Sequence, residues 1–316
     1  MEKKFTSVLT IIICTYNRSS SLATTISSLY STGYKGPELV DILVVANACT
    51  DDTVERVRSI RTDHPQSVIS LRYIEEPKPG KSHALNAAIK ATTSEYLCFI
   101  DDDQTVENGF ISNLLIGISI YNDDIYCGRI KPDWPGTEPS WVHTTGQYAI
   151  PIRPFPEFDF GDTSLILNPD ARFPSGGNIC VRRHVFERSG VFSTNLGPKG
   201  HNLAGGEDHE FLSRCAKSGF SIRYLPAVKQ LHAVDDERMQ TIYTLKKSYH
   251  RSKSVFIMKE SFSKPKLYMI RKIASHLVKA TFTIDSRKRF FYMVRLAASI
   301  GELSGAVHVL RTTASE

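Results

Sequence analysis

The stretch YLCFIDDD, residues 96–103, decides the fold of this chain. Mostly apolar residues, 97–100, run directly into three consecutive aspartates, which predicts a buried strand that ends at a polar edge. Asp101 and Asp103 are two positions apart, so an extended backbone points their side chains the same way. The alternative is a solvated acidic turn. Clustered carboxylates repel one another, and a bound cation relieves that repulsion. The stretch therefore indicates a site for a hard divalent cation that also holds substrate phosphates.

Strand-like and helix-like patterns alternate along the first 120 residues. Strands are predicted at 8–14, 41–45, 68–74 and 97–100, and helices at 22–30, 53–60, 82–91 and 110–120. This alternation predicts a doubly wound, mostly parallel α/β sheet flanked by helices. Ligands bind beyond the carboxyl ends of the strands in such sheets, where this chain has polar residues after each predicted strand.

Composition and charge narrow the class of protein. Hydrophobic residues make up 41% and charged residues 23% of the 316, which is typical of a globular chain rather than a disordered one. Residues 240–316 carry 15 Lys/Arg and 4 Asp/Glu, so the remainder of a chain of net charge +6 is acidic. The six cysteines form no CxxC pair, which favours small core residues in a reducing compartment over a disulfide framework or a zinc site.

The composition changes in the segment 131–175, which is rich in Pro, Gly, Trp and Phe. Long loops in compact domains are usually functional or disordered, and the aromatic content argues against disorder. Trp134 and Trp141 are therefore candidates for stacking on sugar rings of an acceptor. Packing anchors within the loop are the alternative for each tryptophan.

The tail beyond residue 239 has a helical pattern with basic residues around apolar ones. Such a composition fits a helix that lies in the interface of an anionic membrane, and the alternative is an amphipathic hairpin packed on the domain. No uninterrupted apolar run reaches the roughly 18 residues of a membrane-spanning helix, so none is predicted. The tail has no nucleic-acid-binding motif, and we predict no nucleic-acid partner.

Several segments together resemble a family 2 glycosyltransferase of the GT-A fold, over residues 6–255. The order and spacing of the motifs make the resemblance specific. They are IIICTYNR (11–18), ILVVANACTDDT (42–53), GKSHALN (80–86), YLCFIDDD (96–103), GGN (176–178), GGED (205–208) and His232.

The resemblance implies a GT-A, Rossmann-like, mostly parallel α/β sheet with a C-terminal helical appendage. We predict a glycosyltransferase domain at 1–240, with a nucleotide-binding part at about 1–105 and an acceptor-binding part at about 106–240. Residues 241–316 form a basic amphipathic helical tail in this prediction.

The resemblance also implies a metal-dependent transfer of sugar from a nucleoside-diphosphate-sugar. Asp101, Asp103 and His232 are the predicted ligands of Mn²⁺ or Mg²⁺, which neutralises the leaving diphosphate. Asp101 and Asp102 are also expected to contact the donor. A UDP-sugar is the favoured donor.

Residues around the donor nucleotide follow from the matched motifs. Thr15, Tyr16, Arg18 and Asn47 occupy positions around the base and ribose, and Lys81 is expected near them. Relatives often have Asp where Ala46 stands, which leaves the details of nucleotide recognition open.

The second half of the chain supplies the acceptor side in this resemblance. Asp208 takes the place of the general base that deprotonates the attacking hydroxyl, and Glu207 orients the acceptor or Asp208. Gly176 and Gly177 border the pocket for the acceptor or the donor sugar.

The expected function is an inverting transfer of one sugar per encounter to a glycan or lipid-linked acceptor, in cell-surface or extracellular polysaccharide synthesis. A QxxRW signature, which processive synthases of the family carry, is missing after the predicted base. The expected location is cytoplasmic, with peripheral binding to the cytoplasmic face of the membrane, and the oligomeric state is open. Two alternatives are a nucleotidyltransferase and a catalytically silent nucleotide-sugar-binding scaffold, and the three retained acids, Asp101, Asp103 and Asp208, oppose the second.

Overall fold

The computed structural model describes residues 7–64, 67–152, 157–168, 173–174, 177–197, 206–258 and 266–313. The strands are β1 Leu9–Thr15, β2 Val40–Asn47, β3 Ile69–Glu76, β4 Tyr96–Asp101, β5 Gln104–Val106, β6 Ile125–Asp133, β7 Leu165–Ile166, β8 Asn178–Arg182 and β9 Ile222–Ala233. The α-helices are α1 Ser19–Tyr30, α2 Thr53–Asp63, α3 Lys81–Lys90, α4 Phe110–Tyr121, α5 Arg183–Ser189, α6 Glu207–Lys217, α7 Asp236–Met239, α8 Thr241–Met258, α9 Leu267–Phe282 and α10 Ser286–Thr313. Short 3₁₀ helices cover Ser140–His143 and Gly146–Tyr148.

The strands form one mixed sheet in the order β3-β2-β1-β4-β8-β6-β9-β5, with β7 paired to β9. Strands β1 to β4 are parallel to one another, whereas β8 runs antiparallel to both β4 and β6. The predicted α/β fold class is confirmed. Besides β1 to β4, β6 and β9 also pair in parallel, whereas β5, β7 and β8 pair in the antiparallel sense.

Both faces of the central strands are buried, which explains their continuous apolar sequences. Ile11 and Ile13 of β1 pack with Ile26 of α1 in one hydrophobic cluster. Ile12 belongs to a second cluster, with Leu85 of α3. The helices therefore cover the sheet on both sides, and the carboxyl ends of β1, β2 and β4 are left for polar residues.

The elements from β1 to α4 lie within three residues of their predicted bounds, apart from the short β5, which was not predicted. The last strand, β9, begins at Ile222 and includes Pro226, a residue that weakens a strand signal in the sequence. The register of β6 and β9 shifts between Gly128 and Arg129, and the resulting bulge accommodates the proline outside the ladder.

The strand β6 was not predicted at all, and the predicted irregular segment begins after Asp133 rather than at residue 131. The sequence IYCGRIKPD contains Gly, Pro and charged residues, all of which weaken a strand signal. Tertiary pairing with β8 and β9 supplies what local propensity lacks.

Internal contacts divide the chain into two compact units. The first consists of Met1–Asp133, Pro156–His201 and Gly206–Ala233, and it contains the whole sheet. The second consists of Trp134–Phe155, Asn202–Gly205 and Val234–Glu316, and it contains α7 to α10. The predicted boundaries at residues 105 and 240 stay predictions.

One helix of the described residues, Ser286–Leu310, has the length and the mean hydropathy of 1.2 that allow a helix to cross a membrane. The finding rests on length and composition only. The sequence analysis considered uninterrupted apolar runs and so passed over this helix, which contains Arg295 and Glu302; its prediction of no membrane-spanning helix stays a prediction.

The bulge between β6 and β9 generates a prediction for Gly128. A Cβ atom at this position would lie 2.1 Å from the backbone oxygen of Val228. We expect Gly128→Ala to lower the free energy of unfolding by about 3 kcal/mol, because neither backbone can move without breaking the ladder. Urea unfolding followed by circular dichroism measures the change.

Gly117→Ala is the matched control for this prediction. Its Cβ would meet only the side chain of Leu225, which can change rotamer, and alanine favours the surrounding helix α4. We expect a loss of less than about 1 kcal/mol for the control. Equal losses for both variants would show that the close approach at Gly128 is unimportant.

Candidate active site

The carboxyl end of β4 brings together the three predicted metal ligands. β5 follows Asp103 directly and pairs with β9, so that Gln104 lies opposite His232. One ligand atom each of Asp101, Asp103 and His232 lies within 4.8 Å of the other two. His232 Nε2 is 3.2 Å from Asp103 Oδ1. Two carboxylates and one imidazole are a donor set that Mn²⁺ accepts and Mg²⁺ tolerates, so these residues fit the predicted metal.

Three neighbours fix the position of Asp101. Lys81 Nζ donates to Asp101 Oδ1 at 2.8 Å, and the Gly177 amide donates to Oδ2 at 2.9 Å. The Asp101 amide donates to Gln104 Oε1 at 3.2 Å. Burial acts to raise the pKa of Asp101, but the charge of Lys81 and the hydrogen bonds from Lys81 and Gly177 lower it below its ordinary value. A Cβ at residue 177 would lie 2.1 Å from the Asp101 nitrogen, so this contact requires glycine.

The ammonium group of Lys81 connects the acids of β4 with those of α6. Besides its bond to Asp101, Nζ lies 3.7 Å from Glu207 Oε1 and 3.8 Å from Asp208 Oδ2. Burial acts to lower the pKa of Lys81, but the charges of Asp101, Asp208 and Glu207 raise it well above its ordinary value. Lys81 is the first residue of α3, where the helix dipole disfavours a cation, and the three acids compensate for that position.

Glu207 and Asp208 are the first two residues of α6, and both are buried. The helix dipole favours negative charge at this end. Burial, and then the charge of Asp208, raise the pKa of Glu207 to about 7, although Lys81 opposes the shift. Below neutral pH the pair therefore carries one negative charge rather than two.

Arg18 joins the other two aspartates of the triplet. Its Nη1 atom lies 3.1 Å from Asp102 Oδ1 and 3.0 Å from Asp103 Oδ2. Thr15 Oγ1 donates to Asp102 Oδ2 at 2.6 Å. Burial, and then the charge of Asp103, raise the pKa of Asp102 to about 6, while Arg18 and the Thr15 hydroxyl act against the rise. Asp102 is thus a buried anchor between β4 and the loop after β1.

Asn47, at the end of β2, fixes the loop that leads to Lys81. Its Nδ2 donates to the carbonyl oxygens of Glu76 at 3.0 Å and Lys78 at 2.8 Å, and its Oδ1 accepts from the Gly80 amide at 2.8 Å. The structure therefore gives this buried amide a positioning task at the start of α3. Its predicted contact with the nucleotide stays a prediction.

The loop after β1 carries Tyr16 and Arg18, and Asn17 holds it in place. Asn17 Oδ1 accepts from the backbone amides of Thr50 at 2.7 Å and Asp51 at 3.3 Å. Sequence analysis missed this role of Asn17. Both partners lie more than thirty residues further along the chain, so the sequence carries no local signal for this contact.

Gln104 and Gln230 are the other site residues that sequence analysis missed. Both are buried, and Gln230 Nε2 donates to the Gly177 carbonyl at 3.1 Å and to Gln104 Oε1 at 3.3 Å. Gln104 directly follows the three aspartates, and Gln230 is two positions before His232 on β9, hence on the same face of the strand. That spacing was the available signal.

The predicted acceptor residues are not brought together in one unit. Gly177 lies against Asp101, whereas Gly176 lies outside the described residues. Trp134 and Trp141 belong to the second unit, where their rings lie 5.0 Å from the ring of His143 and 5.2 Å from that of Phe290. Packing accounts for both rings within that unit, and their contact with an acceptor stays a prediction.

A strand that ends in the acids of a candidate metal site, with a second acidic pair at the N-terminus of α6, agrees with the expected GT-A fold. The sheet matches solved structures of this fold. Residues 10–190 match the family model of "Glycosyl transferase family 2", which is more than half of the chain. The chain therefore belongs to family 2 of the glycosyltransferases, as its motifs predicted, and is a glycosyltransferase enzyme.

Individual relatives share only a low sequence identity with this chain. The succinoglycan biosynthesis protein ExoM of Rhizobium meliloti (strain 1021) is 23% identical over 239 residues, which cover 75% of this chain and 70% of ExoM. Among solved structures, the mannosyltransferase PcManGT of Pyrobaculum calidifontis, in complex with GDP-Man and Mn²⁺, superposes with a TM-score of 0.57 at 18% identity, covering 99% of this chain and 76% of that one. S. aureus TarS 1-349 with UDP-GlcNAc gives a TM-score of 0.53 at 12% identity, covering 96% and 92%. These structural similarities show the fold.

The central position of Lys81 generates a prediction for stability. We expect Lys81→Met to lower the free energy of unfolding by about 3 kcal/mol at neutral pH, because it leaves buried carboxylates without their cation. Urea unfolding of the purified variant measures the loss. Lys90→Met, at the exposed end of the same helix, is the control and should change stability by less than about 0.5 kcal/mol. Equal midpoints for the two variants would contradict the assignment.

The raised pKa of Glu207 generates a prediction for pH dependence. A carboxyl with its pKa raised from 4.5 to about 7 in the folded state favours folding below 4.5, and this contribution is lost as pH rises to about 7. Glu207→Gln removes that dependence. We expect the variant to gain on the order of 2–3 kcal/mol relative to wild type across this window. Unfolding titrations at several pH values measure it, and parallel curves for the two proteins would disprove the shift.

Proposed function

We propose that this enzyme transfers one sugar from a nucleoside-diphosphate-sugar to an acceptor hydroxyl, with inversion at the anomeric carbon and with help from a divalent metal. One observation carries the proposal. The Lys81 ammonium lies within 3.8 Å of an oxygen of Asp101, of Glu207 and of Asp208. The Lys81 side chain thus lies between Asp101, which is suited to the leaving-diphosphate side, and the acidic pair of α6, which is suited to supply a general base.

The leaving-group side consists of Asp101, Asp103 and His232, which would hold Mn²⁺ or Mg²⁺. A bound metal supplies Lewis-acid neutralisation of the departing diphosphate. In the structure, Lys81 forms an ion pair with Asp101, and Arg18 forms one with Asp103. With a metal held by Asp101, Asp103 and His232, Lys81 and Arg18 would be available to bind the phosphate oxygens of the donor, which would explain why each is placed at this edge.

Asp208 is the proposed general base of the reaction. A direct displacement at the anomeric carbon inverts its configuration and needs one carboxylate to accept the proton of the attacking hydroxyl. The raised pKa of Glu207 leaves a single negative charge on the acidic pair below neutral pH, and we assign that charge to Asp208. Glu207, in its protonated form, can donate a hydrogen bond that orients Asp208 or the acceptor.

The donor and acceptor classes follow from chemistry and from relatives. Thr15, Tyr16, Arg18 and Asn47 are proposed to surround the nucleotide, and a UDP-sugar remains the favoured donor. The two structural neighbours were solved with GDP-Man and UDP-GlcNAc, so the fold accommodates either nucleotide. The name of ExoM supports a role in polysaccharide synthesis. A glycan or lipid-linked saccharide is the proposed acceptor, met at the cytoplasmic face of the membrane.

A donor screen with matched variants tests the proposed function. The purified enzyme is incubated with Mn²⁺ or Mg²⁺ and a panel of nucleotide-sugars, and release of nucleoside diphosphate is measured with and without saccharide acceptors. We expect Asp208→Asn to lower the transfer rate about 10²- to 10⁴-fold, because the base is lost. Removal of the metal by a chelator should abolish transfer as well.

Glu207→Gln is the control, since glutamine resembles the protonated glutamic acid that we assign to this position. We expect it to keep transfer within about tenfold of wild type below neutral pH. Full activity of Asp208→Asn, or complete loss for Glu207→Gln with Asp208 intact, would reverse the assignment of the base. If no donor of the panel released nucleoside diphosphate with either metal, the proposed reaction would be refuted.

A further inference from the structure

The helix α9 has its polar and apolar sides arranged opposite to those of an ordinary surface helix. Tyr268 and Lys272 bond to Glu302 of α10, at 3.1 and 2.7 Å, and His276 Nδ1 lies 3.0 Å from Ser299 Oγ. These three residues recur every four positions, so they lie on one side of α9. The side that faces α10 within the second unit therefore carries these three polar residues, and Met269 is buried beside them.

The other side of α9 is apolar and exposed. Five large apolar residues of α9, and one that lies two positions after the helix, are between 52% and 95% exposed. They form what we name the α9 apolar face: Leu267, Ile270, Leu277, Val278, Phe282 and Ile284. Single exposed apolar residues are ordinary on proteins, but a contiguous row of them marks an interaction surface.

Charge identifies what this surface meets. The sequence of α9, Leu267–Phe282, contains no acidic residue. Exposed basic residues stand beside the α9 apolar face at Lys266, Arg271 and Lys279, and three more follow at 287–289. An apolar row with basic residues beside it complements a membrane surface, where anionic headgroups cover the apolar acyl chains.

The neighbouring helix α10 does not compete for this role, although its length and composition would allow it to cross a membrane. It is packed in the second unit: Val294 is fully buried, and its carbonyl accepts from Ser248 Oγ at 2.9 Å. A Cβ at Gly301 would lie 2.1 Å from the Tyr249 carbonyl oxygen, so α10 and α8 touch backbone to backbone. Part of α10 is therefore packed against α8 within the unit.

We infer that the α9 apolar face docks on the anionic surface of a lipid membrane, lying in the interface without crossing the bilayer. This inference does not depend on the proposed chemistry of transfer. It specifies which helix would bring the enzyme to a lipid surface and excludes α10 as a membrane-spanning anchor.

Vesicle flotation tests the inference with the full-length protein. We expect wild type to float with phosphatidylcholine vesicles that contain phosphatidylglycerol. The triple variant Ile270→Gln, Leu277→Gln, Phe282→Gln should lower the partition coefficient at least about tenfold, since each side chain would bury apolar surface in the interface. Retained flotation of this variant would overturn the inference.

A matched control separates this effect from a general loss of surface hydrophobicity. Leu39, Ile116 and Ile120 are exposed apolar residues of the first unit, and their replacement by Gln should leave flotation unchanged. Equal urea midpoints and circular dichroism spectra for the two triple variants would establish that both are folded. A loss of flotation in the control equal to that in the α9 variant would overturn the inference.

Two further measurements distinguish other occupants of the surface. Alkaline carbonate should extract wild type from the vesicles, whereas resistance to extraction would indicate a spanning helix and overturn the inference. Sedimentation should give the same mass for wild type and the α9 variant. A dimer that only wild type forms, with no flotation, would assign the face to a second copy of this chain. Asp208→Asn should float as wild type does, so failure of the proposed chemistry is observed separately.

Discussion

The arrangement of the site depends on the buried ion pairs of Lys81. Its ammonium is the group through which the end of β4 and the start of α6, over a hundred residues apart in sequence, meet. Without this cation, the acids Asp101, Glu207 and Asp208 would lie in a buried place with no compensating charge, which a fold rarely tolerates. Asn47 and Gly177 in turn hold the loop of Lys81 and the side chain of Asp101.

The same edge has more acids than its cations can neutralise fully. Arg18 and Lys81 face five carboxyl groups of the triplet and the α6 pair, and burial, followed by the charge of a neighbouring carboxylate, raises the pKa values of Asp102 and Glu207. A site of this kind favours an additional cation. Two cationic side chains, Arg18 and Lys81, thus lie at the place where the binding of a metal and a diphosphate would change the net charge.

Much of the first half of the fold could be predicted from the sequence, because β1 to β4 are buried on both faces and their apolar runs are unambiguous. The later strands could not, since β6 contains Gly, Pro and charged residues and β9 contains Pro226. Their pairing is decided by neighbours distant in sequence. The amphipathic tail likewise left two interpretations open, and only the contacts between α9 and α10 show that the apolar side of α9 is exposed.

The sequence by itself determined the α/β class and the family, and it singled out the acids that we propose to serve a metal and a base, because these residues stand in short motifs at strand and helix ends. The tertiary structure alone decided how those motifs are joined. It assigned Asn47 to the loop of Lys81, placed Gln104 and Gln230 beneath Asp101, and put Lys81 between two acidic groups. Such contacts depend on the packing of elements that are separate in the sequence.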